Sequence, residues 1–187
     1  MAGLRRLPSQ AWVLDFACGR GRHAGAALEL GLSVVAVDRD AAALEALEVA
    51  WSKAGQPARL DGADSGSTLI TRQTDLEADP WLFEQESFDA VIVCNYLFRP
   101  RLDELPGLLR PGGLLIYETF AAGNERYGRP SNPDYLLAAG ELVAWAGRQG
   151  LHVLAYEDGF VHRGRGARVQ RLRALRPPAD LQAFALE

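Results

Sequence analysis

"VLDFACGRGRHA", residues 13–24, is the stretch that decides the fold. Val13, Leu14 and Phe16 continue an apolar run from Trp12 that is too short for a helix and is followed by glycines, which reads as a buried strand. Gly19 and Gly21 make a tight turn that lets backbone approach a ligand closely. From Arg22 the spacing of Ala24, Ala27 and Leu28 is helical, and Gly31 is a natural stop. As written, "GRGRHA" also satisfies the relaxed G-x-G-x-x-G/A dinucleotide fingerprint. The turn alone leaves open a dinucleotide, a phosphate or another ligand.

Working outward, Leu32 to Asp38 is a second apolar, β-branched strand, and Asp40 caps a helix carrying Leu44, Leu47 and Trp51 on one face until Gly55 and Pro57. Ser67 to Asp75 is a weaker strand after a Gly/Asp/Ser-rich loop, while Phe88 to Asn95 and Gly113 to Phe120 are strong buried strands. Between those two, Arg101 to Arg110 reads as a helix shortened or kinked by Pro106 and Gly107. Strands alternating with helices imply a mostly parallel sheet covered on both faces. After the helical pattern Leu142, Trp145, Gln149 come two strand candidates, Leu151 to Phe160 and Val169 to Leu175, joined by the short "VHRGRGA". That is a hairpin, so the last strand should run antiparallel. The expectation is an α/β, doubly wound, Rossmann-like, mostly parallel seven-stranded sheet with an antiparallel C-terminal hairpin, in one domain over residues 1–187.

Composition bounds the function. At 187 residues and 48% apolar content the chain suits one well-buried core and is short for two domains. With 20 basic and 24 acidic residues, the net charge of −4 gives no global attraction to nucleic acid or anionic membrane. Cys18 and Cys94 lie in apolar strand contexts without a CxxC pair, which points to reduced thiols and a cytoplasmic setting. No run nears the roughly 18 apolar residues of a membrane span, and "MAGLRRLPSQ" lacks the core of a secretion signal. The basic "HRGRGAR" with Arg171, Arg173 and Arg176 reads as a solvated hairpin before it reads as a phosphate-binding patch. His23, His152 and His162 are scattered and form no metal pattern.

Three features choose between ligands. Asp15, two residues before the turn, would repel a pyrophosphate but suits an α-ammonium group. Asp38 can hold a ribose diol in either case. Asp75, at the tip of the third strand, can accept from an adenine amino group beside the apolar Leu76. The antiparallel hairpin is foreign to an ordinary dinucleotide-binding sheet. Together these residues resemble the class I S-adenosylmethionine-dependent methyltransferases over nearly the whole chain. "VLDFACGRGRHA" is similar to that family's D-x-G-x-G-x-G motif with Ala17 in place of the first glycine. The resemblance implies that S-adenosylmethionine is the cofactor. It also implies that Asp15 and the backbone of Ala17, Cys18, Gly19 and Gly21 surround its methionine part. By the same resemblance Asp38, with Arg39 beside it, takes the ribose, Asp75 and Leu76 take the adenine, and Asn95 lies under the reactive centre. "NYLFRP", "YETFAAGNERYGRPSNPDYLL" and "VQRLRALRP" further resemble a bacterial tellurite-resistance-like subgroup of undefined substrate. Relatives usually carry more sequence ahead of the first strand than Met1 to Ala11.

Methyl transfer is an in-line displacement that needs alignment, desolvation and sometimes proton removal. Candidate acceptor contacts are Tyr96 and Arg99 after strand four, and Asn124, Tyr127 and Arg129 in the long Gly/Pro-punctuated loop after strand five. Tyr127 is placed to position or deprotonate a nucleophile, Glu118 is a candidate base, and Arg129 favours an anionic or planar acceptor. Asn95-Tyr96 shares only its end residues with the amino-methylating N-P-P-Y loop. The expected acceptor is a small molecule, with no membrane partner, nucleic acid disfavoured and a homodimer left open. The alternatives are an RNA or protein methyltransferase, a nicotinamide-dependent oxidoreductase, and a partner-dependent cofactor-binding module.

Overall fold

The computed structural model describes residues 2–54, 66–81, 83–162, 164 and 166–184. Seven strands form one sheet: β1 (Trp12–Phe16), β2 (Ser33–Asp38), β3 (Leu69–Gln73), β4 (Phe88–Cys94), β5 (Leu109–Phe120), β6 (His152–Val161) and β7 (Ala167–Leu175). Their spatial order is β3-β2-β1-β4-β5-β7-β6. The first five are parallel, and β7 runs antiparallel to both β5 and β6. The helices are α1 (Arg22–Leu28), α2 (Ala41–Ala54), α3 (Arg99–Leu102), α4 (Leu105–Leu108) and α5 (Glu141–Arg148).

Both faces are covered because the central strands are apolar at successive positions and alternate side chains point to opposite faces. Val13, Val34, Ala36, Ala90, Ile92 and Leu114 meet Ala24, Ala27, Leu28, Leu44 and Leu47 of α1 and α2. Leu14, Phe16, Val35, Val37, Val91, Val93, Leu115 and Tyr117 form the opposite layer with Leu102, Leu105, Leu108, Leu142 and Trp145 of α3 to α5. No helix is described between β3 and β4. There Trp81 and Phe83 pack on Phe16, with ring centroids at 5.8 and 6.0 Å, and fill the layer.

Two sequence expectations change. The helix read over Arg101 to Arg110 is two single turns, and β5 begins at Leu109 rather than Gly113. The reason is long-range. Asp89, at a register shift in β4, accepts from Trp12 N (2.7 Å) and from Arg110 Nη1 (2.9 Å), which draws "RPG" into the sheet. The helix stop read at Gly55 and Pro57, the start of the Gly/Asp/Ser-rich loop, and Arg163 and Arg165 of the hairpin turn lie outside the described residues. Among the described residues no helix is long and apolar enough to cross a membrane.

The β1–α1 turn positions everything at the carboxyl edge. Ala17, Gly19 and Gly21 all take left-handed φ values, 57°, 53° and 70°. The cost of alanine at position 17 is therefore conformational rather than one of room. Asp15, only 1% exposed, lies under the turn and accepts from Ala24 N at 2.8 Å, tying β1 to the start of α1. Burial pushes its pKa up to about 7, against the pull of that hydrogen bond and with the charge of Asp38 adding to the rise.

Two stability measurements follow. A Cβ at Gly21 would stand 2.6 Å from Leu47 Cδ1, at φ +70°. Gly21→Ala should cost roughly 2–4 kcal/mol in urea denaturation, whereas Ala17→Gly should stay within about 1 kcal/mol of the parent, on the stabilising side. Because the native carboxyl of Asp15 titrates above the usual carboxylate range, its stabilisation is full below about pH 4 and is lost as pH rises through about 7. Asp15→Asn keeps an acceptor for Ala24 N and removes the loss. Relative to the variant, the parent should lose on the order of 2–4 kcal/mol between about pH 4 and 8. Parallel stability curves for the two proteins would contradict the assignment.

Candidate functional site

Among the cavities walled by described residues, two flank the β1 turn and the end of β4. The smaller, about 130 Å³, is walled by Ala17, Asp38, Arg39, Thr74, Asp75, Leu76, Glu77 and Tyr96. Asp38 ends β2 and is oriented by backbone: its Oδ2 accepts from Gly19 N at 2.7 Å and its Oδ1 from Asp40 N at 3.0 Å. Asp40 in turn caps α2 at Ala42 N and Ala43 N, both 3.1 Å. Asp75 is held in its own turn, Oδ1 accepting from Glu77 N at 2.9 Å, and Leu76 is buried against the core. A carboxylate fixed by two amides retains lone pairs for a diol. A second carboxylate beside an apolar wall suits a flat, amino-bearing ring.

Tyr96 completes this cavity. Its ring stands edge-on to Phe16, at 5.6 Å, and its hydroxyl is buried with no hydrogen-bond partner among the described residues. Burial, then the charges of Glu77 and Asp75, push its pKa well above the usual tyrosine value, so the group is a neutral donor. The sequence reading put Tyr96 on the acceptor side. The structure puts it in the wall of the smaller cavity, with Asp38 and Asp75.

The larger cavity, about 380 Å³, lies on the α1 face of the sheet. Arg22 and His23 from α1, Ile92 and Cys94 from β4, Ile116 and Glu118 from β5, Arg171 and Arg173 from β7, and Ala155 and Glu157 from β6 wall it. Arg22 Nη2 lies 3.0 Å from His23 Nε2 and 3.9 Å from Cys94 Sγ. Burial first, and then the Arg22 charge, lower the His23 pKa. Glu118 is ion-paired with Arg171, which also reaches Glu157 at 3.1 Å. Asn95, left-handed at φ 56° with its N–H on Glu118 O (2.8 Å), sits in the chain between Cys94 of one cavity and Tyr96 of the other.

The remaining candidates divide differently. Asp15 and Cys18 lie under the turn rather than in either wall, and burial followed by the charges of Asp15 and Asp38 push the Cys18 thiol up to about 12. Arg99 is an anchor: it pairs with Glu141 at 2.7 Å and donates to Asp134 O and Leu136 O at 2.6 and 2.8 Å. Asn124, 1% exposed, donates to Pro130 O (3.0 Å) and accepts from Arg168 N (3.2 Å), binding the loop to β7. Tyr127 packs at a tilt against Phe160 of the hairpin, ring centroids 4.7 Å apart, and is 41% exposed. Arg129 is exposed on the same loop. These four order the loop or face solvent and wall neither of those two cavities; Arg99 lines a separate cleft of about 490 Å³ with Ala122, Glu125 and Pro133. The basic hairpin is also interrupted by acids, with Arg168 on Asp158 and Arg171 on Glu118 and Glu157.

Sequence reasoning missed Arg22, His23 and Arg173 as wall residues. The signal for Arg173 was present: period two in "RVQRLRAL" sets Arg171 and Arg173 on one face of β7. Asp15 also decides against a dinucleotide. Such a ligand rests its pyrophosphate on the helix start after the first strand, and here a buried carboxylate already takes the Ala24 N–H.

Comparison with known proteins agrees with this geometry. Over 154 residues the chain is 28% identical to glycine N-methyltransferase of Mus musculus, covering 75% of this chain and 47% of that protein, so it spans about half the length of the curated relative it matches. It is similar in fold to TehB from Haemophilus influenzae, with a TM-score of 0.68 at 18% identity over 90% of this chain and 58% of that one. A similar likeness, TM-score 0.64 at 19% identity over 94% and 96% of the two chains, holds for an S-adenosylmethionine dependent methyltransferase from Mesorhizobium loti. Residues 13–113, more than half of the chain, match the methyltransferase domain family, and the chain belongs to that family.

Proposed function

We propose that this chain transfers a methyl group from S-adenosylmethionine to a small molecule. The observation that carries the reading is the smaller cavity. It pairs a carboxylate held by two backbone amides with a second carboxylate, an apolar wall and a buried phenol that lacks a partner. An adenosine satisfies all four, and the orphaned Tyr96 hydroxyl is a donor of the kind a ring nitrogen accepts from. S-adenosylmethionine supplies an electrophilic methyl group on a sulfonium.

The protein's own part is alignment and exclusion of water. Asp38 takes the ribose diol, and Asp75, Leu76 and Tyr96 fix the purine. The left-handed turn at Ala17 to Gly21 brings backbone against the ligand between the cavities. Asp15 acts as a positioning residue, holding that turn to α1. The larger cavity receives the acceptor at Cys94 and Glu118, where Glu118, held by its ion pair with Arg171, is the residue assigned to take a proton. A small acceptor is supported by the cavity's size, by the acidic partners that break up the basic hairpin, and by the name of the glycine N-methyltransferase relative. A cytoplasmic setting is part of the proposal, supported by the free thiols of Cys18 and Cys94.

Titration calorimetry with S-adenosylmethionine, S-adenosylhomocysteine and NADH tests the reading. The first two should bind with micromolar affinity and NADH should not; binding of NADH alone would overturn it. Asp38→Ala should weaken S-adenosylhomocysteine by ~1.5–3 kcal/mol. Tyr96→Phe should have opposite effects on two readouts. It stabilises the free protein by up to about 1 kcal/mol, because an unpaired buried hydroxyl is removed, and it weakens S-adenosylhomocysteine binding several-fold. Unchanged binding in Tyr96→Phe would show that the hydroxyl does not face the purine.

A further inference from the structure

Two rows of side chains cross the floor of the larger cavity, and only one is neutralised. In the row nearer the carboxyl edge, Glu118 of β5, Arg171 of β7 and Glu157 of β6 are register partners and close on one another as ion pairs. In the next row Ile116, Arg173 and Ala155 are partners, so this guanidinium stands between two apolar side chains. Among the described residues no carboxylate lies within ion-pair distance of Arg173, which is half-buried in the cavity wall. The two rows are two residues apart along the strands, about 7 Å. Arg22, the other wall arginine without an ion pair among the described residues, is at the turn, against His23 and Cys94.

We infer that the larger cavity takes a methyl acceptor bearing a carboxylate, and that Arg173 binds that carboxylate. The inference rests on the methyl-transfer reading above and adds the chemical class of the acceptor. A guanidinium stays protonated and offers two parallel N–H donors, which match a carboxylate in a bidentate pair. Arg171 is already engaged by two glutamates and Arg22 lies at the turn against His23 and Cys94, which leaves Arg173 as the cation at the apolar end of the cavity. Ile92, Ile116 and Ala155 line the same cavity and accept an apolar body. With its carboxylate on the Arg173 row, an acceptor about 7 Å long presents its far end at the Cys94 and Glu118 level, beside the turn. The site thus selects molecules with a nucleophile at one end and a carboxylate at the other.

The test uses the full chain saturated with S-adenosylhomocysteine and a matched pair of probes, 4-aminobenzoate and its neutral carboxamide, titrated by ligand-observed NMR. The carboxylate should bind at least about tenfold more tightly than the carboxamide. Arg173→Gln should remove that preference while leaving S-adenosylhomocysteine affinity within about twofold, and Arg173→Lys should keep part of it. Equal binding of the two probes to the parent chain, no binding of either at about 10 mM, or a preference that survives in Arg173→Gln overturns the inference. Should Arg173→Gln fail to bind S-adenosylhomocysteine, the parent's probe ratio and Arg173→Lys decide. A parent chain that does not bind S-adenosylhomocysteine at all overturns the methyl-transfer reading instead.

Discussion

The hydrogen bond from Gly19 N to Asp38 Oδ2, 2.7 Å long, is the constraint from which the rest of the site is built. It joins the first turn to the end of the second strand, and the same carboxylate reaches Asp40 N, so one side chain sets the spacing between the starts of two crossovers. The turn that presents this amide is left-handed at positions 17, 19 and 21, which is why glycines, and at position 17 a small alanine, stand there. Asp15 fixes the far side of the turn on α1 from below. Two acids separated by one turn therefore have different tasks. Asp38 keeps its carboxylate half-exposed for a ligand, while Asp15 is buried, with its pKa raised, as a piece of the frame.

Much of this was legible in the sequence because it is local. Continuous apolar strands, glycines at the turn and an acid after each strand are short-range signals, and they placed Asp38, Asp75 and Leu76 around one cavity. What the sequence hid is long-range. Arg99 has the chemistry of an anion contact, but Glu141 lies 42 residues away and takes it. Asn124 has the chemistry of a substrate contact, and its amide serves Pro130 and Arg168 instead. Arg101 to Arg110 reads as one helix, but Arg110 pairs with Asp89 across the sheet and lies in β5. Tyr96 follows a strand end and was assigned to the acceptor side. The aromatic packing of Phe16, Trp81 and Phe83 in place of a helix draws its ring toward the smaller cavity.

The division into two cavities gives the proposed reaction its geometry. In the proposed reaction adenosine recognition would use residues at the ends of β2, β3 and β4, which wall the smaller cavity. Acceptor recognition would fall to β4, β5 and the antiparallel pair β7 and β6, a pair that a purely parallel fold does not provide. The backbone from Cys94 to Tyr96 is the boundary, with one neighbour of Asn95 in each wall. Charge differs between the two: Asp38, Asp75 and Glu77 stand with Arg39 in the smaller wall, and Arg22, Arg171 and Arg173 with Glu118 and Glu157 in the larger.

A crystal structure of the chain with S-adenosylhomocysteine tests the central claim most directly. The account predicts adenosine density bounded by Asp38, Asp75, Leu76 and Tyr96, with the sulfur beside the Ala17 to Gly21 turn and the larger cavity left free for the acceptor. Purine density in the larger cavity, against Arg171 and Arg173, would contradict it.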